Sequence, residues 1–133
     1  MKIKFPAANV SVKDWDKNED YLAYVLFDPY IYTPKEATFR RYWAGQSFVD
    51  SSGTVFKATG RIMPPRVRQV LSFLPNFCRV ELVFEPTGQI MSMEEVRSHM
   101  LRQLEKLDNY GNKAGWIENV KRAATIEDII SGD

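Results

Sequence analysis

One cysteine and one histidine are all that this chain has of the side chains that most often bind metals or pair as nucleophile and base. Cys78 cannot close an intramolecular disulfide alone, which fits a reducing compartment and makes the cytoplasm the expected location. His99 by itself excludes every two-histidine metal site. Long apolar runs are also missing. None approaches the roughly 18 residues of a membrane span, and Met1-Lys2-Ile3-Lys4-Phe5-Pro6 is followed by charge at Lys13 without the apolar stretch of a signal peptide. An excess of one charge is absent too, since 18 Lys+Arg against 17 Asp+Glu leave +1, and no global field would draw nucleic acid or an anionic membrane. The 7 glycines are scattered, and none falls into the G-x-G-x-x-G or G-x-x-x-x-G-K-[ST] spacing that cradles phosphates, so no cofactor is expected by those routes. Without repeats or a long linker, the 133 residues read as a single α+β domain.

What the chain does have is a strong strand followed by a strong helix between Phe77 and Leu107. Cys78, Val80, Leu82 and Phe84 alternate with Arg79, Glu81 and Glu85, the pattern of a strand with one buried face, and Val83 alone breaks it. Ser92 and Glu95 form a capping box, and Met91 with Val96 can add a hydrophobic staple. Met93, Val96, Met100, Leu104 and Leu107 then recur at helical spacing.

Around this unit, Lys2 to Phe5 is expected as a short edge strand closed by Pro6, and Tyr21 to Phe27 as a strand ended by Asp28-Pro29. Thr33-Pro34-Lys35-Glu36 is a second capping box, opening a helix to about Trp43 on which Phe39, Tyr42 and Trp43 share a face. Asp50-Ser51-Ser52-Gly53 reads as the turn of a hairpin over Gln46 to Thr59. Pro64-Pro65 can start a helix carrying Val67, Val70, Leu71 and Leu74. After the turn signal Asp108 to Asn112, Trp116, Ile117, Val120 and Ala124 fit a helix, with a strand through Trp116 to Val120 as the alternative; Thr125 with Asp128 caps a last turn. The expected architecture is a mainly antiparallel sheet of about four strands, with the helices from Pro34, Met93 and near Trp116 on one face.

Several chemical motifs are approached and missed. Asn9-Val10-Ser11 matches a glycosylation sequon, yet without a secretory signal it reads as a chance tripeptide. Asp14 to Asp20 has oxygen donors at alternate positions like a calcium loop, but Glu19 stands where the turn needs glycine and Val25 where it needs a bidentate glutamate. No metal is expected. His99 falls four residues after Glu95 and is read as a surface helix pair, and no G-x-S-x-G elbow marks an activated serine.

Two features stand above this background. Aromatic residues crowd the stretch from Tyr21 to Phe56, among them Tyr24, Tyr30, Tyr32, Tyr42, Trp43 and Phe48, and tyrosine suits pockets and interfaces because its ring buries while its hydroxyl stays wet. A basic run of Lys57, Arg61, Arg66 and Arg68, joined by Arg40 and Arg41, can hold carboxylate or phosphate. The candidate ligand or interface residues are therefore Tyr30, Tyr32, Arg41, Trp43, Arg66 and Arg68, and no catalytic residue is assigned. The leading reading is a non-enzymatic interaction module of the accessory or toxin-neutralising kind, binding a protein partner or itself. The alternative is a small-molecule pocket, catalytic or not, lined by the same aromatics and arginines; single-stranded nucleic acid is third and membrane binding is not expected.

Overall fold

The computed structural model describes residues 2–11, 25–31, 36–63, 79–106 and 113–132. The calcium-like stretch 14–20, the helix over 65–74, Cys78 and the turn at 108–112 lie outside the described residues, as do Tyr21 to Tyr24 of the expected second strand.

Among the described residues the elements are β1 (Ala7–Asn9), β2 (Val25–Leu26), β3 (Tyr30–Ile31), α1 (Glu36–Tyr42), β4 (Ser47–Val49), β5 (Thr54–Ile62), β6 (Val80–Ile90), α2 (Met93–Lys106), α3 (Lys113–Arg122) and α4 (Ile126–Ser131). The class is α+β. The sheet has six antiparallel strands in the order β2-β1-β4-β5-β6-β3, rather than about four.

Local chemistry explains why these elements start where they do. Asp50 ties the β4–β5 hairpin: its Oδ1 accepts from the Ser52 amide at 2.9 Å and the Thr54 amide at 3.1 Å. Its Oδ2 accepts from the Lys4 amide at 3.0 Å, and the Lys4 carbonyl accepts from the Ser51 amide at 3.0 Å. That double hook corrects the expected edge strand at Lys2 to Phe5: the segment bonds to a turn instead of a ladder, and pairing begins after Pro6, at Ala7. At α2 the capping box forms in both directions, with the Ser92 amide to Glu95 Oε1 at 3.1 Å and the Glu95 amide to Ser92 Oγ at 3.2 Å. Thr125 caps α4 through its Oγ1, 3.1 Å from the Asp128 amide.

β6 also runs further than its expected end at Glu85, reaching Ile90. Pro86 has no amide to donate, and a register shift lies where it faces β5; Thr87 Oγ1 donates to the Val55 carbonyl at 3.0 Å and holds the ladder across the interruption. The segment after the turn is helical, which settles Trp116 to Val120 against the strand alternative.

The connection between β2 and β3 shapes the whole sheet. These strands stand at opposite edges, yet only Phe27, Asp28 and Pro29 join them. In a flat sheet of six strands the edges would be roughly 24 Å apart, whereas that link spans at most about 14 Å. The sheet must curl. Leu26 of β2 and Ile31 of β3 accordingly meet in one buried cluster with Ala7, Phe48, Val80 and Leu82, on the concave side.

Phe39 of helix α1 and Trp43, in the turn just after it, join that same concave cluster. This corrects the expectation that all helices cover one face, because period-2 strands send buried apolar side chains to both sides, Ala7 and Phe48 to one cluster and Ala8 and Val49 to the other. The convex side packs Ala8, Val49 and Val55 against Val96, Met100 and Leu104 of α2, Val120 of α3, and Ile129 and Ile130 of α4. Arg97 fastens this layer: its Nη1 donates to the carbonyls of Val120 at 2.8 Å, Lys121 at 3.1 Å and Ala123 at 3.0 Å, capping the end of α3.

Candidate functional site

Among the described residues, the helices α2, α3 and α4 pack on the convex face over β1, β4 and the start of β5, and none of them packs over β3, β6 or the far end of β5. Ile31 pairs with Val80, and both point inward, so Tyr30 and Glu81, which also pair, point outward. Glu81 pairs on its other side with Ile62 of β5, which completes an outward row of Tyr30, Glu81 and Ile62. Ile62 is 55% exposed, and Phe27, on the link that enters β3, is 65% exposed. Met63 is exposed beside Ile62.

The aromatic centre of this row is Tyr30. The Arg79 guanidinium carbon lies 4.1 Å from its ring centroid, close enough for a strong cation–π contact. Asp28 Oδ1 accepts from the Tyr30 amide at 2.9 Å, and the Pro29 carbonyl accepts from the Leu82 amide at 2.7 Å, so the link bearing Phe27 is pinned on both sides. Further along the same convex face, Lys57, Thr59, Glu85 and Gln89 line an open polar depression.

The other candidate residues fall elsewhere. Trp43 is 6% exposed and belongs to the concave core. Arg41 is exposed at the end of α1, with its guanidinium carbon 5.2 Å from the Tyr42 ring centroid. Arg61 of the basic run stacks over Phe39 at 5.5 Å, on the concave side. Tyr32, Arg66 and Arg68 lie outside the described residues. Among the described candidates, Tyr30 is the one on this row, and Arg41 and Trp43 sit with α1. Phe27, Ile62, Arg79 and Glu81 are not among the candidates read from the sequence. The alternation of β6 did place Arg79 and Glu81 opposite its core face; which part of that face the helices leave bare is a long-range property.

His99 is not the surface residue expected from its spacing. It is 7% exposed, and its Nε2 donates to the Asn9 carbonyl at 2.9 Å, next to buried Asn9 and Gln103. Burial lowers its pKa from the usual histidine value; the bond to Asn9 works the other way, and the charges of Arg102 and Lys106 add to the lowering. A neutral ring that donates to main chain is a packing element joining α2 to β1. Among the described residues, no group of three or more His, Cys, Asp or Glu could hold a metal ion, and no helix is long and apolar enough to cross a membrane.

No protein-family model, no curated protein and no solved structure matches this chain. The functional reading rests on the geometry of the open row.

Proposed function

We propose that this chain is a protein-interaction module that docks through the open convex row of Tyr30, Glu81 and Ile62, with Phe27 and Arg79 at its margins. The observation that carries the reading is the exposure of Phe27 (65%) and Ile62 (55%) around a tyrosine held under an arginine. Large apolar groups that face water together mark binding surfaces. Tyrosine and arginine are the residues on which binding energy concentrates, and a ring stacked under a guanidinium loses little further freedom on binding.

The pocket alternative has less support. Trp43, one of its intended walls, is sealed in the concave core, and the Arg61 and Arg41 guanidiniums lie against rings of α1 instead of converging with Tyr30.

A photo-reactive phenylalanine analogue placed at position 27 or 62 and irradiated in the native host tests the reading. Defined protein adducts are expected from both positions and none from position 118, an exposed site on α3. Equal labelling from all three, or no adduct from 27 and 62, would overturn it.

A further inference from the structure

The open row carries both signs of charge, Arg79 beside Tyr30 and Glu81 in the row itself, flanked by apolar Phe27 and Ile62. A partner bringing charge of a single sign would satisfy one of these groups and repel the other. A second copy of the same surface meets both. In a two-fold interface the same patch faces itself, so that residue i meets j while j meets i. Arg79 of one copy then lies against the partner's Glu81, and Glu81 against the partner's Arg79, with Ile62 and Phe27 apposed beside them.

Resting on the interaction reading above, we propose that the occupant of this face is a second copy of this chain, docked about a two-fold axis through crossed Arg79–Glu81 pairs. Two further facts agree with this. The net charge of +1 sets up almost no long-range repulsion between copies, so short-range complementarity decides association. Glu81 is half-buried and pairs with Tyr30 on one side and Ile62 on the other, so it stands inside the row rather than at its rim.

Charge exchange tests the proposal. Sedimentation velocity from about 1 to 500 µM, the range that brackets micromolar association, would be run on the parent, Arg79→Glu, Glu81→Arg and the double variant. The parent is expected to dimerise. Each single change places like charges across the axis and should weaken association by about tenfold or more, and the double change should restore it. Because Arg79→Glu also removes the stack on Tyr30, Ile62→Asp serves as an independent variant at an exposed position, and it too should weaken the dimer. A parent that stays monomeric, single variants that dimerise like the parent, or a folded double variant that fails to recover would each overturn the proposal. Failure here is distinguishable from failure of the interaction reading: a monomeric chain that still gives adducts from position 27 to a different protein loses the second copy and keeps the docking face.

Discussion

His99 Nε2 and the Asn9 carbonyl meet at 2.9 Å across a separation of 90 residues, joining the middle of α2 to the end of β1. A carbonyl only accepts, so Nε2 carries the ring proton. Because burial and the nearby Arg102 and Lys106 outweigh the Asn9 bond, the folded pKa lies below the ordinary value of 6.5, and protonation is easier in the unfolded chain. Stability from this group is therefore present above pH 6.5 and is lost as the pH falls through 6.5 toward the folded pKa. Urea unfolding at pH 7.5 and pH 5.5 should show the parent losing more stability on acidification than His99→Gln; equal losses would contradict the buried, neutral histidine.

Arg97→Ala removes the donor that three carbonyls at the end of α3 share. Charged hydrogen bonds of this kind contribute about 1.5 to 3 kcal/mol, and the urea midpoint should fall accordingly. Glu94→Ala, which removes only an exposed contact 3.5 Å from Arg97, should leave the midpoint within the scatter of repeat measurements.

Gly53 and Gly88 both have positive φ, at 88° and 87°, and differ in surroundings. A Cβ on Gly53 would stand 2.5 Å from the Met91 carbonyl oxygen, a main-chain atom just before α2, whereas one on Gly88 meets nothing within 4 Å. Gly88→Ala should therefore cost only its backbone strain, about 1 kcal/mol. Gly53→Ala should cost clearly more, and equal costs in urea titrations would mean the hairpin does not dock on that carbonyl.

Trp43→Ala should destabilise by about 3 to 5 kcal/mol, since its ring fills the concave core. Tyr30→Ala should cost well under half of that, because Tyr30 stands on the open face. The order of the two melting midpoints separates core from surface.

Much of the fold was legible because its signals are local. The Ser92–Glu95 box, the Thr125 cap, the Asp50 turn and the alternation of β6 each need only a few neighbouring residues, and each formed. What escaped depends on distant chain. Lys4 looked like strand until Asp50, 46 residues away, claimed its amide. The spacing of His99 from Glu95 suited a surface pair, and only the approach of β1 buried it. The aromatic crowding covered both Tyr30, on the outward row, and Trp43, in the concave core, because ring density does not tell an outward ring from a core ring. The row stands clear of the described helices because the sheet curls while those helices pack on only part of its outer side, and no short stretch of sequence encodes that.

The central claim, that the outward face of β3 and β6 binds while the concave side only stabilises, is tested most directly by photo-cross-linking from position 27 in the parent and in Ile62→Asp, with melting followed on the same samples. Ile62 is 55% exposed, so the change should move the midpoint by no more than about 2 °C, and the adduct should disappear. An adduct that persists with undiminished yield, or one that is lost only because Ile62→Asp unfolds, would contradict the account.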